Sequence, residues 1–191
     1  MADQGAVQGA MRRAGRVRAA SLAMAGAALA ALGACAVPQA GSPAAAAPTG
    51  ASLEPPGGGV PALTLTASGV QVYACEFDAQ HRLGWVFKRP AATLYDAAGQ
   101  ARVQHGAGPS WAAADGSRIV GRVLAQQPSA TPGSIPQLLL ETHDTGGAGL
   151  LAGVRHVQRL ATVGGATPAA PCTGEHQEGS TPYLARYAFY R

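Results

Sequence analysis

The chain has 191 residues, of which 47% are hydrophobic, 5% aromatic and 13% charged, and its formal net charge is +4. Four of the 14 basic residues and one of the 10 acidic residues precede Cys35, which leaves 10 basic and 9 acidic residues from there onward, a net of +1. No basic patch remains to hold a phosphate backbone, so the composition excludes a nucleic-acid-binding protein and no nucleic-acid partner is expected.

Residues 1–34 have the layout of a bacterial secretory signal. Four arginines between positions 12 and 18 precede an apolar run of small residues, Ala19–Ala34. This run is too short for a membrane span, which needs ~20 residues. A basic flank, a short apolar core and small residues before a cleavage point define an export signal. The start of translation stays open between Met1 and Met11.

The signal ends in Leu32-Gly33-Ala34, directly before Cys35. This order resembles a lipobox, in which the cysteine is lipidated and becomes the new first residue, so we predict lipidation of Cys35. The alternative is ordinary cleavage near Ala36 without lipid. Ala36 does not resemble the inner-membrane retention signal. We therefore expect a lipoprotein on the periplasmic face of the outer membrane, or a secreted protein, with the membrane contacted only through the lipid.

Residues 35–61 consist mostly of alanine, proline, glycine, serine and threonine, with a single acid. Such a segment buries too little apolar surface to offset the entropy of folding, so we predict a flexible tether. The alternative is an ordered arm on the domain. The domain itself is expected from residue 62 to 191, a length that suits one core.

In this domain, short β-type runs alternate with turns. The runs are Leu63–Thr66, Val70–Cys75, Trp85–Phe87, Ala92–Tyr95, Arg102–Val103, Ile119–Ala125, Gln137–Thr142, Val154–Ala161 and Tyr183–Tyr190. Many short strands at close spacing predict one all-β domain, an antiparallel sandwich or a barrel. No window keeps a helical period, and any helix is expected to be one short turn near Trp111–Ala114.

The stretch His105–Arg122 is dense in glycine, proline, histidine and acid. We interpret it as a loop, a tight turn at Asp115-Gly116-Ser117 and a strand from about Ser117. Asp-Gly flanked by apolar alternation is a strong hairpin signal.

Three cysteines are present. If Cys35 takes lipid, Cys75 and Cys172 remain as a pair, and outside the cytosol they are expected to form a disulfide. A metal-binding or catalytic thiol is the alternative, but neither cysteine has the spacing of such a motif. The five histidines are also scattered without ligand spacing, so no metal is expected.

Four residues are candidates for ligand binding: His105, Trp111, Asp115 and Arg159. Trp111 is expected on a loop, where an aromatic ring serves binding or packing equally well. Arg155 and Arg159 point to the same side of a strand under period-two alternation, where they could grip an anion or form a solvated face. Asp115 could act as an acid or bond to the backbone of its own turn.

Most of the chain from about Leu63 onward resembles the family catalogued as domain of unknown function 3455, found in secreted and envelope proteins of bacteria and fungi. The matching stretches are GVQVYACEF from Gly69, GWVFKRPAATLYDAAGQ from Gly84, HGAGPSWAAADGS from His105, VGRVLAQQPS from Val120, IPQLLL from Ile135, VQRLATVGGATPAAPC from Val157 and PYLARYAFY from Pro182. Gln137 departs from the family pattern, which has tryptophan after Ile-Pro.

Some fungal members of the family carry a malate-dehydrogenase label. Gly147–Ala152 formally fits the dinucleotide fingerprint G-x-G-x-x-A, but strand-like residues follow it and no acid lies ~20 residues further on. No nicotinamide or other cofactor is therefore expected.

These residues support two functional hypotheses. The first is a non-enzymatic envelope module that binds a small molecule, a glycan or an envelope partner. The second is an extracytoplasmic, hydrolase-like enzyme that uses His105 and Asp115 as base and acid; it needs the two side chains within reach of a common substrate. We expect no catalytic residues, because no motif completes a catalytic set.

Overall fold

The structure, a computed structural model, describes residues 50–191. They contain eight strands: β1 (Leu63–Phe77), β2 (Leu83–Tyr95), β3 (Ala101–Gly106), β4 (Ser110–Ala113), β5 (Arg118–Gln127), β6 (Gln137–Gly146), β7 (His156–Gly164) and β8 (Glu178–Tyr190). Each strand pairs antiparallel with the next, and β8 pairs with β1 to close a barrel. The all-β prediction is confirmed, and the barrel is the correct one of its two alternatives.

The predicted signal peptide, Cys35 and the tether up to residue 49 lie outside the described residues. Within residues 50–191, no helix is long and apolar enough to cross a membrane.

Side chains alternate between the inside and the outside of the barrel, as the two-residue period of a strand requires. In β8, Tyr183, Ala185 and Tyr187 are buried, whereas Leu184 and Arg186 between them are exposed. The inward-facing residues of the eight strands bring distant parts of the sequence into one interior.

One end of the barrel is closed by packed apolar side chains. Leu94, Ile119 and Phe189 are fully buried there. The connection between β6 and β7 folds over this end and adds Leu151 and Val154, which are 0% and 1% exposed. We call this half of the barrel the closed half.

The other end is bordered by the connections 78–82, 107–109, 128–136 and 165–177. The last of these is joined to β1 by a disulfide between Cys75 and Cys172, which confirms the predicted pairing. The indole nitrogen of Trp85 also donates a hydrogen bond to the carbonyl of Ala170 in that connection. We call this half of the barrel the cup.

Residues 50–54, which the sequence assigns to the tether, lie against the outside of the barrel. Leu53 is 9% exposed and packs on Ala125 and Leu139. The side-chain amide of Gln158 donates a 2.6 Å hydrogen bond to the Leu53 carbonyl, and the amide of Gln127 donates one to the carbonyl of Ala51. This end of the predicted tether is therefore an arm packed on the barrel.

The hairpin signal at Asp115-Gly116 is confirmed, because β4 and β5 pair across this turn. The short helical turn expected near Trp111–Ala114 is wrong. Residues 110–113 form β4 with alternating burial, since pairing to β3 and β5 outweighs the helical propensity of its alanines.

Candidate functional site

The cup encloses a cavity of about 650 Å³. All eight strands contribute to its lining, and Trp111, Leu140 and Tyr187 separate it from the core of the closed half. This volume lies within the ~300–1,000 Å³ that is usual for small-molecule sites. Eight-stranded barrels have room for one small ligand when side chains do not fill the interior.

Most of the cavity wall is apolar. The apolar side chains of the wall and rim are Trp85, Phe87, Pro90, Val123, Ile135 and Leu138. Phe87 and Val123 are 50% and 36% exposed, so they lie at the rim, where water reaches them. Trp85 is half-buried and belongs to this wall.

Arg159 is the charged side chain deep in the cup. It is 9% exposed, and its Nε and Nη2 atoms donate hydrogen bonds of 3.1 and 2.9 Å to the carbonyl of Pro136. Among residues 50–191, no carboxylate forms an ion pair with it. An arginine keeps its charge in proteins, and burying an unpaired charge is costly. Arg159 is therefore a buried positive charge whose guanidinium has N–H groups beyond those bonded to Pro136.

The prediction that Arg155 and Arg159 share one side of a strand is wrong. Arg155 precedes β7, is exposed and donates its backbone N–H to the Tyr190 carbonyl. Arg159 lies opposite Leu138 in the β6–β7 ladder and faces inward, like Val157 two residues earlier. The expected solvated face is therefore absent at Arg159, although an anion could still be held by this one guanidinium.

His105 lies beside Arg159 in the cup. Its ring is stacked on Trp111 at a centroid distance of 4.7 Å and meets the edge of Tyr187 at 5.3 Å. Its Nδ1 atom lies 2.8 Å from the Ser110 carbonyl. A carbonyl only accepts, so Nδ1 carries the proton and Nε2 is an acceptor in the neutral ring.

Burial lowers the pKa of His105 to about 4, an effect that outweighs the hydrogen bond to Ser110 and is reinforced by the charge of Arg159. The imidazole is therefore neutral at neutral pH. It adds no second positive charge to the cup.

This depressed pKa predicts a specific pH dependence of stability. The imidazole of His105 binds a proton near pH 6.5 in the unfolded chain and only near pH 4 in the folded chain. The contribution of His105 to the free energy of unfolding is therefore fully present above pH 6.5 and is lost as the pH falls toward 4. Between pH 7 and pH 5 the loss should be about 2 kcal/mol, measured by urea unfolding at both pH values.

The His105→Phe variant, which keeps a ring against Trp111, should lose this dependence. Replacing the exposed His143 by phenylalanine is the matched control and should leave it intact. An unchanged pH dependence in His105→Phe would mean that the buried imidazole is not its source.

Two further lining residues have a side-chain nitrogen that is covered by protein and has no hydrogen-bond partner. The Nε2 atom of Gln71 and the Nε1 atom of Trp111 are buried without a hydrogen bond, although buried polar groups are nearly always paired. By contrast, the Tyr73 hydroxyl donates a 2.7 Å bond to the Gly165 carbonyl, and the hydroxyls of Tyr183 and Tyr187 lie 3.5 Å apart. Burial raises the pKa of both Tyr183 and Tyr187, so they remain neutral.

Asp115 is not part of this group. Its Oδ1 accepts bonds from the backbone N–H and the hydroxyl of Ser117, at 2.9 and 2.6 Å, and its Oδ2 accepts from the Leu150 N–H at 2.7 Å. These bonds, led by that of the Ser117 hydroxyl, lower the pKa of Asp115. The turn that contains Asp115 follows β4, and residues 107–109 precede it, so the two lie at opposite ends of this strand. Asp115 therefore stabilises the closed half, whereas His105 lines the cup.

The structure thus brings together three of the four predicted ligand-binding residues: His105, Trp111 and Arg159. Trp111 lies in a strand and is 1% exposed, so its expected place on a loop is wrong. Sequence reasoning missed Gln71 and Tyr187. The signal available for Gln71 was a polar side chain within the apolar run Val70–Tyr73. The sequence has no signal that distinguishes Tyr187 from other aromatic residues that face the barrel interior.

Among the described residues, no group of three or more histidine, cysteine, aspartate or glutamate side chains could hold a metal ion. The polar chemistry that the lining offers is therefore hydrogen bonding and one fixed charge.

The described residues form an antiparallel eight-stranded barrel with one packed half and one hollow half. Residues 55–191 match the family described as Protein of unknown function (DUF3455), and the chain belongs to this family. No curated protein and no solved structure matches it.

Proposed function

We propose that this protein is a non-enzymatic module that binds a small molecule inside the cup. The observation that carries the proposal is the buried guanidinium of Arg159, which faces a cavity of about 650 Å³ without an ion-pair partner among the described residues. A protein seldom keeps such a charge in its interior unless a partner compensates it. A molecule inside the cup would supply that partner.

A binding role fits the geometry better than the enzymatic alternative. The alternative needs His105 and Asp115 to act on one substrate, but Asp115 is engaged by Ser117 and Leu150 in the closed half. His105 has a neutral ring held against Trp111 and lacks an acidic partner in the cavity lining. The Ser110 carbonyl orients this ring, but no serine or cysteine lines the cavity as a nucleophile, so the catalytic set is incomplete.

A small molecule also fits better than the other proposed occupants. A cavity inside the barrel with one open mouth admits a compact molecule, whereas a protein partner would need an extended outer surface of about 800 Å² on each side. A glycan would require donors and acceptors in alternation along the lining, and the lining has mainly apolar side chains and free donors.

The place of action proposed for this module is the cell envelope. Support comes from the signal-like layout of residues 1–34 and from the cysteine that follows Leu-Gly-Ala. The Cys75–Cys172 disulfide fits an oxidising compartment outside the cytosol. A lipid on Cys35 would hold the barrel at the periplasmic face of the outer membrane.

Replacing Cys35 by serine tests the anchor. The variant is expected to move from the membrane fraction to the soluble fraction of the envelope, because the lipid would be its only membrane attachment. Fractionation followed by immunoblotting measures the shift, with Cys35 left intact as the reference. Equal membrane association of the two proteins would refute lipid anchoring.

Narrowing the mouth of the cup tests the binding site. The Val123→Trp variant adds bulk at the rim, whereas Val163→Trp adds the same bulk at an exposed position that does not line the cavity. We expect a thermal-shift panel containing octanoate, octanamide and octyl glucoside to stabilise the wild-type protein and Val163→Trp, and to lose its effect on Val123→Trp. Stabilisation that persists in Val123→Trp, or is absent from the wild type, would contradict a site in the cup.

A further inference from the structure

We infer that the molecule held in the cup is a monocarboxylate with an apolar body, whose carboxylate binds the guanidinium of Arg159. This inference rests on the proposed binding function and specifies its ligand class. It follows from the number of unpaired donors, the net charge of the lining and the character of the wall.

The lining has a surplus of hydrogen-bond donors. Arg159 gives two of its five N–H groups to the carbonyl of Pro136 and also bonds to the Tyr187 hydroxyl, which leaves donors on the same guanidinium without a partner. Every one of these groups requires an acceptor. A ligand that brings donors would leave them unpaired, so the occupant is expected to carry acceptor atoms.

The lining carries one uncompensated positive charge. No aspartate or glutamate is among the lining residues, and the Lys88 ammonium at the rim is paired with Glu76 at 2.6 Å. His105 is neutral, because its burial outweighs the hydrogen bond between Nδ1 and the Ser110 carbonyl. One buried charge balances a monoanion, whereas a phosphate monoester would bring ~1.5–2 negative charges.

The fork of a guanidinium also matches the planar pair of oxygens in a carboxylate. The bonds from Nε and Nη2 to Pro136 fix the orientation of this fork before any ligand arrives. Arg159 is therefore held in place by the connection between β5 and β6 and by the Tyr187 hydroxyl, and its other N–H groups are available.

The rest of the cavity suits an apolar body. Trp85, Phe87, Ile135 and Leu138 offer ring faces and branched side chains but no charge. Burying apolar ligand surface against them is favourable because it removes that surface from water. A carboxylate without such a body would gain little beyond the charge contact.

The test compares matched pairs of acid and amide on the full chain by isothermal titration calorimetry. The pairs are octanoate with octanamide and cinnamate with cinnamamide, so the two members differ in charge and not in apolar body. At neutral pH we expect each carboxylate to bind the wild-type protein at least about tenfold more tightly than its amide. Arg159→Gln should bring the ratio close to one, whereas Arg186→Gln, at an exposed position of β8, should keep it.

Gln71→Glu is a second variant that leaves the contact between Arg159 and Pro136 intact, and it serves if Arg159→Gln does not fold. It places a carboxylate in the lining, so binding of octanoate should weaken while binding of octanamide persists. Equal affinity of acid and amide in the wild type, or a ratio that survives both substitutions, would overturn the carboxylate assignment and leave the cup as a neutral site. Absence of binding by all four compounds would overturn the binding function itself.

Discussion

Replacing Trp111 by alanine is expected to lower the free energy of unfolding by about 3–5 kcal/mol, the usual cost of emptying the place of a buried aromatic side chain. Trp111 is 1% exposed and touches the rings of His105, Tyr187 and Phe189. It lies between the cup and the packed half, so its loss would leave a void that joins the two.

Urea unfolding measures this effect, and Leu184→Ala is the control. Leu184 is an apolar residue of β8 that is 49% exposed, so its truncation should cost well under half as much. A similar small loss for Trp111→Ala would mean that the indole is a ligand contact rather than part of the core. In the structure the same ring packs in the core and forms the inner wall of the cavity.

Removing the disulfide should have the second large effect. The Cys75→Ala, Cys172→Ala double variant is expected to lose about 2–5 kcal/mol of unfolding free energy, mainly because a cross-link over 97 residues restricts the unfolded chain. The bond also fixes the connection 165–177 at the rim of the cup. Its loss should therefore expose that connection to proteases before the barrel unfolds.

Reduction of the wild-type protein provides the matched control. A reducing agent should lower the wild-type stability to that of the double variant and should not change the double variant. If both cysteines of protein taken from the envelope react with a thiol reagent before reduction, the bridge is not formed in the cell.

The strands and turns of this fold were easier to predict from the sequence than the closure of the sheet into a barrel. The Asp115-Gly116 turn was predictable because hairpin chemistry is local, and the pairing of Cys75 with Cys172 followed from counting thiols. Closure depends on the pairing of β1 with β8, whose residues lie more than 100 positions apart in the chain. Local patterning gives no signal that separates this pairing from a two-sheet sandwich.

The candidate site was predictable in part. His105 and Trp111 are cross-strand partners, so their approach followed from one hairpin. Arg159 joins them only through barrel closure, and its burial contradicts the expectation that a charged side chain faces water. Asp115 and His105 are near in sequence, which made them candidates for one site. His105 lies in β3 and Asp115 follows β4, and the two are in different halves of the barrel.

A crystal structure of the protein grown with octanoate tests the central claim most directly. We expect electron density for that molecule inside the cup, with its carboxylate oxygens within about 3.2 Å of the Arg159 guanidinium and its apolar body against Trp85 and Leu138. A cup that holds only ordered water at saturating ligand, or a molecule bound on the outer face of the barrel, would contradict the account.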